Sequence, residues 1–325
     1  MPCPPRETFQ IGWICALPIE AAAAKEMLDE NFGLLDAQDL SDSNIYTLGR
    51  IGKHHVVIAC LPGGQCGITS ATTVATNMIR TFSKSLRIGL MVGVGGGIPS
   101  AAHDIRLGDV VISCPKNTCG GVVQYDMGKV EVGGEFHRTG SLNSPPRGLL
   151  TAINLMRAAE LTDDPHYPKY LLKAIGRNAR TRKNFVRPQQ DRLFKLEHYH
   201  YGTASTCDGC LAEWEETHSE RETSDPQPHY GIIASGNAVI KDGFTREQLR
   251  LDTGALCFEM EAAGLMMDFP CIAIRGVCDY ADTHKNKQWQ GYAALVAASY
   301  AKELLGYVPI SSVLQENLMV DICDM

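Results

Sequence analysis

The sequence contains no stretch approaching the about 18 uncharged apolar residues that a membrane-spanning helix needs, which excludes such a span. Its opening, MPCPPRETFQ, lacks the basic-then-apolar pattern of a secretory leader. Positive charge is in deficit. Thirty Lys and Arg stand against 37 Asp and Glu, for a net charge of −7 and a pI of about 5.8. That balance argues against a general nucleic-acid binder, which is usually basic. No G-x-x-x-x-G-K-[ST] occurs, so a phosphate loop of that type is excluded. The glycine run VGVGGGIP, residues 92–99, fails the dinucleotide pattern G-x-G-x-x-G. Ile98 stands where the last glycine is required, and Pro99 follows it. Cysteine is not scarce, at 12 residues. Several of them (Cys15, Cys60, Cys114, Cys257, Cys271, Cys278) sit inside apolar strings. Reduced, buried cysteines of an intracellular protein look this way, and a cytoplasmic location is expected.

What is present supports a substantial core. The chain has 325 residues, 44% of them hydrophobic and 21% charged, so disorder is excluded for most of it. Short apolar runs alternate with helical patterns. Strands are predicted over Phe9–Ala16, Ile88–Val94, Asp109–Ser113, Tyr230–Ser235 and Cys271–Val277. A hairpin is predicted from Asn44–Leu48 and His54–Cys60 around GRIGK. Helices are predicted from Pro18, over Thr69–Phe82, Leu149–Glu160, Thr245–Leu251, Glu259–Asp268 and Trp289–Leu305. This alternation argues an α/β domain whose sheet is largely covered.

Residues Thr162 to Gln227 break the rhythm. The first half is basic, with Lys169, Lys173, Arg177, Arg192 and Lys195 among others; the second half is acidic, with Glu213, Glu215, Glu216 and Glu220. The stretch reads as a polar insertion of helices and loops on the rim, a solvated surface whose halves neutralise each other. A phosphate or nucleic-acid patch is the sharper alternative. Within it Cys207 and Cys210 form a CxxC near His198 and His200. The residue types suit zinc, but there is no second CxxC and no H-x₃-H, and no metal is expected.

Two glycine clusters and one carboxylate pair carry chemistry. LPGGQCGITSA, residues 61–71, follows a strand and precedes a helix, the setting of a switch-point loop. The cluster at 92–97 brings backbone amides toward a ligand, or else makes a tight strand-to-strand turn. In CFEMEAAG, Glu259, Met260 and Glu261 sit where a strand gives way to a helix. In IRGVCDYAD an apolar strand delivers Asp279 at its C-terminal end, where α/β sheets keep their catalytic groups. A carboxylate in such a strand is expensive without a role or a partner. The bland readings are a helix N-terminus for the glutamates and a turn cap for Asp279.

FEMEAAG and CDYAD at this spacing, supported by the glycine loops, resemble the purine nucleoside and uridine phosphorylase superfamily. The nearest resemblance is to methylthioadenosine/S-adenosylhomocysteine nucleosidases and to fungal nucleosidase-like proteins, which often stand at the front of larger chains. The resemblance runs over Phe9 to about Ser113 and Tyr230 to Leu305, and QYDMGK and FHRTGSL extend it to the fungal group. It implies a single α/β domain, residues 8–306, with a central mixed, twisted β-sheet flanked by helices. The polar insertion is 162–227, and 307–325 form a C-terminal tail.

The resemblance also assigns roles. Glu20 matches the glutamate that activates the attacking water, and Gly64 and Gln65 match the loop facing the nucleophile. Val239 and Ile240 match the pair at the base, Met260 the residue under the ribose, and Glu261 the carboxylate on the 2′- and 3′-hydroxyls. Glu259 is grouped with the substrate-binding residues. Asp279 matches the acid that protonates the purine, and no His or Lys is expected beside its strand. Trp289 takes the place of an aromatic closing the pocket, and Cys278 stands where the family has Ser or Thr.

The implied activity is hydrolysis of a purine ribonucleoside to base and ribose, in nucleoside metabolism and purine salvage. It needs no metal or organic cofactor. The implied protein is a homo-oligomer with a small-molecule purine nucleoside as its partner, and with neither membrane nor nucleic acid. Phosphorylases of the superfamily hold phosphate with arginines. This chain has no Arg from Glu7 to Gly49, and Met91 precedes VGVGGG where a second arginine would sit. A phosphorylase and a nucleoside-sensing module without turnover stand as alternatives.

Overall fold

A computed structural model describes residues 3–201 and 206–323. The strands are β1 (Ile11–Cys15), β2 (Glu30–Leu34), β3 (Tyr46–Ile51), β4 (His54–Cys60), β5 (Ile88–Gly97), β6 (Val110–Ser113), β7 (Val122–Gln124), β8 (Gly128–Val130), β9 (Phe136–Arg138), β10 (Pro228–Ser235), β11 (Ala255–Glu259) and β12 (Cys271–Asp279). The helices are α1 (Pro18–Met27), α2 (Ile68–Thr81), α3 (Arg147–Ala159), α4 (Tyr167–Gly176), α5 (Ala179–Phe185), α6 (Gly243–Thr253), α7 (Gln290–Gly306), α8 (Ile310–Gln315) and α9 (Met319–Cys323).

One mixed sheet runs β11-β10-β6-β12-β5-β1-β4-β3-β2, with β7 beside β10. Pairs β1–β4, β1–β5, β5–β12 and β10–β11 are parallel, whereas β6–β12 and β3–β4 are antiparallel. The far end of β5 also pairs with β11, antiparallel, at Gly96–Phe258 and Gly97–Cys257. That contact closes β5, β12, β6, β10 and β11 into a ring. The single α/β domain with a mixed central sheet flanked by helices is therefore the architecture.

The period-2 alternation of strands explains the two buried faces. Ile88, Leu90 and Val92 join one apolar cluster with α1, α3, α4 and α7, while Met91 joins the opposite cluster with α2. Helix α7 lies in the first cluster with fourteen of its seventeen residues buried, as an alanine-rich helix apolar on all sides must be.

Three expectations change. The run Glu259–Asp268 is not a helix: β11 ends at Glu259, and only one 3₁₀ turn, Ala262–Gly264, follows. A carboxylate that hydrogen-bonds its own downstream amides competes with a helix, and Glu259 does this. The glycine cluster is neither a turn nor an open loop, but the continuation of β5 itself. The insertion is more than a rim. Tyr167, Leu171 and Ala174 of α4 bury against α7, and Glu303 of α7 accepts from the His166 and Tyr167 amides at 2.9 and 2.5 Å. Its two halves do meet, through Arg192 and Glu215 at 2.7 Å. The tail docks as well, since Met319 is buried and its amide bonds the Leu86 carbonyl at 2.9 Å. Among the described residues no helix is long and apolar enough to cross a membrane.

Candidate active site

The site lies at the C-terminal ends of the parallel strands β1, β4, β5 and β12, where the end of β11 runs antiparallel alongside β5. Every α/β sheet presents its loops to ligand at that edge.

Glu20 sits in the first turn of α1, three residues past the Leu17 cap. Its Oε2 accepts from the Ala16 and Leu17 amides at 2.7 and 2.9 Å, and its Oε1 from the Val94 amide at 2.8 Å. A carboxylate has about four acceptor positions, so three are taken and one on Oε1 stays open. The side chain is buried, and burial raises its pKa against the pull of Arg275 and of the three amides. A capped, oriented, partly desolvated carboxylate is well suited to take a proton.

Arg275 is the centre of the site, and sequence reasoning passed over it as part of an apolar strand. It is 0% exposed. Its Nη2 donates to Glu259 Oε2, and Glu261 Oε2 lies 3.5 Å away. Arg275 is in register with Gly93 of β5. A Cβ on Gly93 would fall 2.4 Å from both Arg275 Nη1 and Glu20 Oε1. The guanidinium and the Glu20 carboxylate therefore both pass over a bare backbone. Gly96 does the same for Asp279, since a Cβ there would lie 2.8 Å from Asp279 Oδ1. At Gly93 and Gly96 the cluster stays bare because charged side chains pass over it. A charge inside CIAIRGV was the available signal, because an unpaired buried arginine is not tolerated.

Glu259 spends both oxygens internally. They accept from the Glu261 amide at 3.0 Å and from the Ala262 amide at 2.9 and 3.1 Å, in addition to Arg275. Its place is that of a positioning residue, which shapes the turn that presents Glu261. Glu261 Oε1 accepts from the Gly67 amide at 3.1 Å. Burial, opposed by Arg275 and reinforced by Glu259 and Glu20, pushes its pKa up to about 7.

Gly67 has φ +100°, a conformation that glycine adopts readily. It abuts Asn237, whose Oδ1 accepts from the Ile68 amide at 3.2 Å. Gly67 and Asn237 thus join the β4–α2 loop, Glu261 and the loop after β10, and neither was singled out from sequence. Gly64 and Gln65 lie on an exposed turn of that same loop. Met260 is half-buried, and its carbonyl lies 4.0 Å from the Gly67 Cβ position. Ile240 packs against a small apolar cluster that includes Tyr125, Phe258 and Ala281, while Val239 is 48% exposed on the same loop.

Asp279 is buried at the end of β12. Oδ1 accepts from the Ala281 amide at 2.9 Å, and Oδ2 from the Cys278 thiol at 3.2 Å. Cys278 thus supplies a hydrogen bond where the resembled family has Ser or Thr. Contrary to the sequence reading, a lysine does lie beside this strand: Lys285 Nζ is 3.0 Å from Asp279 Oδ2. Burial lowers the Lys285 pKa, but Asp279 outweighs this and the ammonium is favoured. Trp289 is buried, donates to the Gln190 carbonyl at 3.1 Å and packs against Tyr292. It lines a cleft shared with Cys278, Asp279 and His284, on the side of the insertion.

The family model described as the phosphorylase superfamily matches residues 10–306. A nucleotide-binding leucine-rich repeat (NLR)-like protein of Hyaloscypha variabilis is 49% identical over 92% of this chain, which spans 29% of that relative's length. A 5′-methylthioadenosine/S-adenosylhomocysteine nucleosidase of Mycobacterium bovis is 24% identical over 92% of this chain and 97% of its own. Among solved structures, futalosine hydrolase of Helicobacter pylori superposes with a TM-score of 0.59 at 16% identity, covering 92% of this chain and 98% of that one. The 5′-methylthioadenosine/S-adenosylhomocysteine nucleosidase of Helicobacter pylori gives 0.58 at 15% identity, with the same coverage. With nearly its whole length matched by the family model, the chain belongs to the phosphorylase superfamily.

Proposed function

We propose that the chain hydrolyses the N-glycosidic bond of a purine ribonucleoside, releasing free base and ribose. The C1′–N9 bond breaks, and its electron pair passes into the base. Asp279 takes a proton from the Lys285 ammonium paired with it and passes that proton to N7. A water oxygen bonds to C1′, and Glu20 takes the proton that this water loses. Glu261 accepts from the 2′- and 3′-hydroxyls, with Met260 beneath the sugar and Val239 and Ile240 at the base. Gly64, Gln65 and Trp289 border the pocket. Lys285 holds Asp279 in place and stands beside it as a source for its reprotonation.

The observation that carries this reading is the charge around Arg275. Glu20, Glu259 and Glu261 surround one guanidinium, which is already bound to Glu259. Three carboxylates against one arginine disfavour a phosphate dianion and leave water as the nucleophile. The nucleosidase and hydrolase relatives support the same choice. Incubation with a panel of purine nucleosides, followed by chromatography, tests it. Free base and ribose are expected, and intact nucleosides throughout would refute turnover.

The NLR-like relative favours a second reading, in which this domain serves as the nucleoside-sensing part of a longer protein. Calorimetric binding of nucleoside with no product formed would select it.

A further inference from the structure

We propose that His200, Cys207 and Cys210 form a zinc site that fastens the polar insertion to the loop following β12. The ligand atoms of these three residues all lie within 4.8 Å of one another. Two sulfurs on one tetrahedral zinc, each at about 2.3 Å, stand about 3.8 Å apart, so the cluster closes on an ion with small side-chain rotations. His200 Nδ1 already lies 3.2 Å from Cys210 Sγ. The imidazole and two thiols are the donor types of a Cys₂His set, which leaves one tetrahedral position to fill.

The surroundings are built rather than incidental. The Cys210 amide bonds the Cys207 carbonyl at 2.9 Å, forming the tight turn that turns both thiols one way. Arg192 donates to the carbonyls of both cysteines, at 2.8 Å for Cys210, and is itself held by Glu215. Supporting hydrogen bonds of this sort orient ligands around a metal. Cys207 is buried, and its thiol points to the His284 carbonyl at 3.4 Å. The His200 amide donates to Thr283 Oγ1 at 2.8 Å. The site therefore abuts residues 283–284, immediately before Lys285. Among the described residues between 190 and 227, regular structure is confined to one 3₁₀ turn at Ala212–Trp214 and an isolated bridge between Phe194 and Glu215. A segment so poor in regular structure gains much from a metal crosslink.

The site is independent of what reaction occurs at Asp279, and its test does not read activity. The full chain is purified under reducing conditions, passed into metal-free buffer and analysed by mass spectrometry for metals. About one zinc per chain is expected in the wild type and in Cys3→Ser, an exposed control, following the single-ion geometry. Cys207→Ser and Cys210→Ser should fall to background. Should these variants fail to fold, titration of the wild type with an organomercurial must release its zinc as the thiols react. Cobalt substitution must also produce a thiolate-to-cobalt charge-transfer band. Background zinc in the wild type overturns the proposal, as does recovery of Cys207 and Cys210 as a disulfide. Full zinc retention in Cys207→Ser overturns it too.

Discussion

Replacing Asp279 by Asn separates proton transfer from every other role of that position. The amide can keep its oxygen toward the Ala281 amide, which now bonds Oδ1 at 2.9 Å. Its NH₂ then faces the Cys278 thiol and the Lys285 ammonium, both of which donate to or pair with Oδ2 in the wild type. A donor thus replaces an acceptor, and one charge-assisted contact is lost. Such a loss costs about 1.5–3 kcal/mol. The Lys285 side chain is 27% exposed, so the ammonium can turn to water and the cost falls toward the low end. The catalytic loss should be larger. A general acid contributes about 10²–10⁴-fold, or about 3–5 kcal/mol of barrier. Stability and rate are therefore distinguishable when kcat is measured on the folded fraction. The assay compares the mutant-to-wild-type ratio of kcat for a purine nucleoside with that for a nitrophenyl riboside, whose leaving group needs no proton. The purine should suffer the full loss and the activated riboside much less. Equal losses on both substrates would refute the assignment of Asp279 as the acid. A Lys285→Met variant that loses more than Asp279→Asn would move the role to Lys285.

Glu20→Gln keeps the shape of the α1 cap but removes its basicity; kcat should fall by about 10²-fold or more with KM nearly unchanged, and steady-state kinetics check this. Glu261 binds its proton more tightly folded than unfolded, because burial raises its pKa to about 7. Its destabilising contribution is therefore absent below the ordinary carboxylate pKa and complete above about 7. Thermal melts should accordingly show Glu261→Gln gaining stability relative to wild type between about pH 5 and pH 8, whereas a pH-independent difference would contradict the buried-charge account. The same variant should lose more kcat/KM on ribonucleosides than on 2′-deoxyribonucleosides. Gly93→Ala places a methyl carbon 2.4 Å from Arg275 Nη1 and Glu20 Oε1; a stability loss of about 1–3 kcal/mol is expected in denaturant titrations, together with loss of turnover.

Much of the fold could be read from apolar periodicity. The run Phe9–Ala16 contains the strand Ile11–Cys15, and Trp289–Leu305 nearly coincides with the helix Gln290–Gly306. Strand β2 was missed because it is mostly exposed at the sheet edge, and β7 to β9 because three residues cannot display a period. The helix expected after Glu259 failed for a local reason. Glu259 binds its own downstream amides, and Gly264 presses so near α2 that a Cβ would lie 2.4 Å from the Ile68 carbonyl oxygen. Asp279 was legible at the end of its apolar strand and Glu261 just past the end of β11, whereas Glu20, in the first turn of α1, was reached through the family resemblance. Arg275, Gly67 and Asn237 were not legible, since their importance lies in contacts formed only when distant strands align. Lys285 escaped notice because it acts from a loop six residues beyond the carboxylate it pairs with.

The central claim is that water, rather than phosphate, attacks the sugar. The most direct test is to follow base release from a purine nucleoside in phosphate-free buffer, then to add phosphate and analyse the sugar. The account predicts free base and ribose at the same rate in both conditions. A strict phosphate requirement, or ribose 1-phosphate as the sugar product, would contradict it.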